Sequence, residues 1–109
     1  MKKIKVTLTE EILKLLKEDS ILFNRSMNFL NNSIISYYSE QKIDINSLNM
    51  KREVELQFFL HKKLEENYSK ILNKKNYQRE VDFLRDIFLA YSSAPQKERE
   101  HIVKIYDNL

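Results

Sequence analysis

The chain opens on a strict alternation. Ile4, Val6 and Leu8 fall on one side of an extended segment, and Lys3, Lys5 and Thr7 on the other. Apolar residues at a period of two predict a half-buried strand. Thr9 then stands where a hydroxyl can cap a helix, and Glu10 and Glu11 occupy its first turn, at the positive end of the dipole. Ile12, Leu15, Leu16, Leu22 and Phe23 follow at helical spacing until Asn24-Arg25-Ser26 interrupts them. Either Asn24 or Ser26 can cap what comes next. Met27, Leu30, Ile34, Tyr37 and Tyr38 form one stripe of a second helix.

Residues 40–50 form a polar connector, and then the pattern restarts. Val54, Leu56 and Phe58 alternate with an outward set, Glu53, Glu55 and Gln57. Leu60, Leu64, Tyr68, Ile71 and Leu72 recur at helical spacing, Asn73-Lys74-Lys75-Asn76 breaks them, and Val81, Leu84, Phe88 and Tyr91 repeat the second stripe. Laying Asn24–Leu30 over Gln78–Leu84, an offset of 54, matches Arg25 with Arg79, Phe29 with Phe83 and Leu30 with Leu84, and further on Tyr37 with Tyr91. The strands align at an offset of about 50, so the second copy should carry about four extra residues around its first helix and turn.

The expected organisation is one domain over residues 1–94, made of two βαα repeats (2–40 and 51–94). After Pro95, residues 95–109 form an amphipathic helix carrying Ile102, Ile105 and Tyr106. A βαα unit of about 40 residues buries too little surface to fold alone. A lone strand also leaves its backbone groups unpaired. A second copy solves both problems, and residues 40–50, fully extended, reach about 36 Å. The expected fold class is therefore mainly α, with a small two-stranded antiparallel β-ribbon built from residues 3–8 and 53–58. Leu30, Ile34, Tyr37, Leu84, Phe88 and Tyr91 should share its core.

Composition narrows the function. Of 109 residues none is glycine or cysteine and one is proline. That excludes Gly-rich phosphate loops, thiolate metal sites and cysteine nucleophiles. No apolar run approaches the length of a membrane span, and the polar start leads into no apolar signal region, so a cytoplasmic protein with no membrane partner is expected. His61 and His101 stand 40 residues apart with no repeated carboxylate spacing around them. No Ser, Lys or Asp spacing singles out a nucleophile and base. Neither an enzyme nor a metal or other cofactor is expected. Glu65-Glu66 and Glu98-Arg99-Glu100 read as solvated faces, and Tyr37, Tyr38 and Tyr91 as core residues with hydroxyls at the rim. The net charge of +3 is mild, but Lys2, Lys3 and Lys5 are gathered where no acid precedes Glu10.

Three stretches carry a resemblance: Lys3-Ile4-Lys5-Val6-Thr7-Leu8-Thr9-Glu10-Glu11, then Asn24-Arg25-Ser26, then Ser33-Ile34-Ile35-Ser36-Tyr37-Tyr38. Residues 2–40 resemble the ribbon-helix-helix family of DNA-binding proteins, and residues 51–94 look like a degenerate second copy. The resemblance implies a tandem ribbon-helix-helix pseudo-dimer whose ribbon enters the major groove of double-stranded DNA. It makes Lys3, Lys5 and Thr7 the base readers and Asn24, Arg25 and Ser26 the phosphate clamp. The implied function is a sequence-specific transcriptional regulator, repressor-like, with a homodimer formed through the C-terminal helix where one chain reads too short a site. Tyr91–Glu100 is also similar to the segment preceding the WYL ligand-sensing domain of some bacterial regulators. The second strand departs from the pattern. Antiparallel pairing should set Lys5 opposite or diagonal to Glu55, worth about 0.2–1 kcal/mol, whereas two identical strands would oppose lysine to lysine. The same carboxylates weaken the face that should meet phosphate. A protein-interaction module on the same fold, such as an antitoxin or plasmid-partition adaptor, is the second function class.

Overall fold

Two extended segments separated by half the chain pair with one another. In the computed structural model, which describes all 109 residues, β1 (Lys3–Leu8) and β2 (Val54–Phe59) form a two-stranded antiparallel ribbon. Lys3 lies opposite Phe59, Lys5 opposite Gln57 and Thr7 opposite Glu55, so Lys5 and Glu55 are diagonal neighbours. Five helices complete the chain: α1 (Glu10–Leu22), α2 (Met27–Ser39), α3 (Lys62–Lys74), α4 (Glu80–Ser93) and α5 (Gln96–Asp107). The protein is mainly helical with one small sheet. β2 starts and ends one residue later than the alternation suggests.

The inner face of the ribbon supplies the roof of the core. Ile4, Val6, Leu8, Leu56 and Phe58 are buried against Leu16 of α1, Leu30, Ile34 and Ile35 of α2, and Leu84, Ile87 and Phe88 of α4. Each such side chain contributes about 1.5–3 kcal/mol when removed from water. Tyr37 is only half-buried, and the neighbouring Tyr38 takes the core position expected of it.

The order strand, helix, helix occurs twice, and its landmarks recur at fixed spacing. Thr9 caps α1 and His61 stands at the start of α3, 52 positions on. Asn24 and Asn76 follow those helices with φ of 54° and 62°, also 52 apart. Asparagine tolerates this left-handed region better than other side chains, and the chain has no glycine to place there. The second helices begin after Ser26 and Arg79, 53 apart. At that offset Leu30, Ile34, Ile35 and Tyr38 fall on Phe83, Ile87, Phe88 and Tyr91, all buried. Measured on these landmarks, the second strand-helix-helix segment is one residue longer in its inter-helix break, not four residues longer around its first helix. The offset of 54 overshoots because α4 buries adjacent residues, 83 with 84 and 87 with 88, so a one-residue slip still lands on apolar positions.

Two hydrogen bonds obey the same spacing. Asn32 Nδ2 of α2 donates to the Phe59 carbonyl at 2.9 Å, and Arg85 Nε of α4 donates to the Thr7 carbonyl at 3.0 Å. Each second helix thus ties itself to the strand of the other segment.

α5 closes the structure. Ile102, Val103 and Tyr106 are buried, and α5 lies along α2. The side chains expected to join two copies are largely used within one chain: Ile102 and Tyr106 are buried and Ile105 is half-buried. Glu98 and Glu100 are exposed as expected, but Arg99 between them turns inward. Its Nε donates to Asp19 Oδ2 at 2.8 Å and its Nη1 to the Ala94 carbonyl at 2.7 Å. Asp19 is 1% exposed and also accepts from the Tyr91 hydroxyl at 2.6 Å, so that hydroxyl lies in the interior and not at the rim. Burial, reinforced by the hydrogen bond to Asp19, pushes the Tyr91 pKa up.

Asn31 is fully buried with neither amide atom hydrogen-bonded, at the position equivalent to Leu84. An unpartnered buried amide costs about 1–3 kcal/mol. Asn31→Leu should therefore raise the unfolding free energy by about that amount, read as a higher urea midpoint at unchanged slope. Asp19→Ala should do the reverse, losing up to about 3–5 kcal/mol because the largely covered Arg99 loses its counter-charge and the Tyr91 hydroxyl its acceptor.

Candidate nucleic-acid interface

The outer face of the ribbon has no helix over it. Lys3 and Lys5 are exposed, Thr7 is half-buried, and from β2 Glu55, Gln57 and Phe59 join them. Phe59 is 48% exposed, a large apolar residue beside Lys3. It continues the alternation of Glu55 and Gln57 by one step, just past the end of the expected strand. Gln57 Nε2 donates to Glu55 Oε2 at 2.6 Å, which holds that carboxylate against its own strand.

Glu53 does not belong to this face. Its carboxylate accepts from the Glu10 backbone N–H at 3.2 Å, at the start of α1, where negative charge is favoured. One outward carboxylate, Glu55, remains on the ribbon instead of two. Lys51 and Arg52 are exposed just before β2, at the Thr7–Glu55 end. Lys2 is held by Glu80 at 3.3 Å.

The three residues expected to clamp phosphate have separate local roles. Ser26 is the cap of α2, its Oγ accepting from the Phe29 N–H at 3.1 Å, while Asn24 makes the left-handed turn before it. Arg25 lies across the neighbouring helix end. Its Nε and Nη2 donate to the two carboxylate oxygens of Asp107 at 3.0 and 2.6 Å, and Nη1 donates to the Asn24 carbonyl at 2.9 Å. The hydrogen bond to Asp107 raises the Arg25 pKa, and the guanidinium carbon stands 5.6 Å from the Phe29 ring centre. Three of its five N–H donors are thus engaged inside the chain.

The end of β2 is fastened to α2 by asparagines. The Phe59 N–H donates to Asn28 Oδ1 at 2.8 Å, its carbonyl accepts from Asn32, and the His61 N–H donates to Asn32 Oδ1 at 2.7 Å. His61 is half-buried. Its Nδ1 lies 2.5 Å from the Tyr106 hydroxyl and its Nε2 3.3 Å from Asn28 Nδ2. Because Asn28 Oδ1 is taken by Phe59, the amide nitrogen faces the ring, so Nε2 accepts and the proton resides on Nδ1. The ring also stacks on Tyr106, 5.7 Å between centres. Neither this cluster nor the Asp19–Arg99 pair is a grouping of His, Asp or Glu that could hold a metal, and no such grouping occurs in the chain.

No family model, curated protein or solved structure matches this chain. No helix is long and apolar enough to cross a membrane.

Burial, then the nearby Lys63, lowers the His61 pKa from its ordinary 6.5. The unfolded chain therefore takes up this proton more readily than the folded one. Stability should be full above about pH 6.5 and fall as pH drops from there through the lower folded value. Urea midpoints measured across this range should show that loss, and His61→Gln should flatten it.

Proposed function

We propose that this chain binds double-stranded DNA as a sequence-specific, repressor-like regulator, with the β1–β2 ribbon in the major groove and the two βαα segments acting as a tandem ribbon-helix-helix pseudo-dimer. The observation that carries the reading is the uncovered outer face of a two-stranded antiparallel ribbon bearing Lys3 and Lys5. The major groove, about 12 Å wide, admits such a ribbon. The recurrent landmarks and the reciprocal Asn32 and Arg85 bonds support the pseudo-dimer.

In this reading Lys3 and Lys5 reach guanine edges or flanking phosphates, and Thr7 offers a hydroxyl between them. Phe59 would lie against a thymine methyl, the apolar feature of the groove. With the Arg25 guanidinium engaged by Asp107, phosphate contact at the start of α2 falls to Asn24, Ser26 and the backbone N–H groups around them. Lys51 and Arg52 would serve the opposite end. The two halves differ in chemistry, so the site read should be short and asymmetric. With Ile102 and Tyr106 buried, a second chain would have to join through a surface other than the apolar stripe of α5.

The alternative, a protein-interaction module such as an antitoxin or partition adaptor, is favoured by one feature, the exposed Phe59 ring. Duplex binding measured by fluorescence anisotropy over a series of salt concentrations separates the two, with variants compared at one salt concentration. Affinity should fall with salt at a slope of about −0.9 per phosphate neutralised. Lys3→Ala with Lys5→Ala should abolish binding and leave the circular dichroism unchanged, since both side chains point away from the core. Glu55→Gln should strengthen non-specific binding by removing repulsion. Unchanged affinity in the double lysine variant would transfer the function to the protein-interaction reading.

A further inference from the structure

α3 is the least buried helix of the protein. Tyr68 alone among its residues is buried, while Leu64 and Ile71 are half-exposed along a groove between α3 and the last turns of α2. The groove has a volume of about 430 Å³ and is also lined by Ser36, Ser39 and the exposed Leu109. Its α3 wall is basic. Lys63, Lys70 and Lys74 recur with Asn67 at spacings of four, three and four, which sets them on one helical stripe beside the apolar pair. Glu65 and Glu66 do not line the groove, though Glu66 stands one turn from Lys63 and Lys70, and Glu40 is the one acidic side chain that does. None of the three lysines forms an ion pair within the chain. Lys70 and Lys74 are exposed, and Lys63 lies with its ammonium 4.2 Å from the centre of the Tyr106 ring.

We infer that this groove is a docking site for an acidic amphipathic helix of a partner protein. Leu64 and Ile71 are seven residues apart, about 10 Å along α3. That is the distance between apolar residues at i and i+7 of a helix lying alongside, the recurrent geometry of helix-in-groove recognition. The three unpaired ammonium groups border the apolar pair, so the matching helix carries glutamate or aspartate flanking its apolar stripe. Such rim charges select the partner and speed its arrival, while the apolar contacts provide affinity. The groove is formed by the last turns of α2, whereas the residues that hold the ribbon, Asn28 and Asn32, belong to its first turns. The inference thus stands apart from the DNA-binding reading and holds whether or not the ribbon meets a duplex.

A synthetic helix-forming peptide of about fourteen residues, with leucines at i, i+4 and i+7 and glutamates flanking them, is a direct probe. Titrated into the isotope-labelled full chain, it should move amide resonances around Ser36, Ser39, Asn67 and Ile71 and leave those of Lys3, Lys5 and Gln57 in place. Lys70→Glu combined with Lys74→Glu should weaken binding about tenfold or more, because two attractive rim contacts become repulsive. Both residues are exposed, so the circular dichroism of that variant should match the parent. A scrambled peptide of the same composition that binds as tightly, shifts centred on the ribbon, or undiminished binding to the charge-reversed chain would each overturn the inference. So would a charge-reversed chain that keeps the peptide and loses duplex DNA, since the lysines would then serve a nucleic acid.

Discussion

Everything in this fold waits on the pairing of β1 with β2. Neither strand has another partner, and a single strand cannot satisfy its own backbone groups. The pairing joins residues about fifty positions apart, and closing a loop of that length costs on the order of 3–4 kcal/mol in chain entropy beyond a constant term. Nothing local repays that cost. The return comes from the roof of Ile4, Val6, Leu8, Leu56 and Phe58, which gives α1, α2 and α4 a common surface to cover. The helices follow from the ribbon, and the ribbon is held by the helices through Asn32 and Arg85. Stability is therefore shared between the two halves, and neither half has a core of its own.

Polar interior groups then fix what apolar packing leaves loose. Asp19 gathers Tyr91 from α4 and Arg99 from α5, so three helices meet at one carboxylate. Asp86 does the same for the connector, accepting from the Ser47 N–H and hydroxyl and from the Tyr77 hydroxyl. Apolar contacts alone tolerate sliding, because one leucine substitutes for another a turn away. A carboxylate held by several directed hydrogen bonds does not. The connector between α2 and β2 has no secondary structure over most of its length, yet Ser47 gives it a defined place.

Much of this was legible in the residues. Period-two alternation marks both strands because each has one wet face, and the polar breaks mark both inter-helix turns. Asp19 was missed, although it sits on the same helical stripe as Ile12 and Leu16, where a carboxylate demands a partner. That the partner is Arg99 is not written locally, since the two are eighty positions apart and meet only once α5 has docked. The choice of Ser26 over Asn24 as cap depends on backbone angles that either residue can adopt. The one-residue difference between the two segments is hidden because α4 is apolar on adjacent positions. Of the candidate interface, the alternation brings Lys3, Lys5 and Thr7 together, but it cannot tell that Arg25 will be drawn to Asp107 or Glu53 to the start of α1. Those are long-range electrostatic choices, and a charge in a sequence does not announce which opposite charge will reach it.

Holding both strands in one chain changes how the outer face can vary. In a ribbon made by two identical chains, every substitution appears twice, at positions related by symmetry, and a change that helps one side is forced on the other. Here Lys5 faces Gln57 and Lys3 faces Phe59, so each outward position is free to change alone. The ribbon also forms at any dilution, since its halves cannot separate. One gene copy thus encodes both halves of a surface whose chemistry can be tuned one residue at a time.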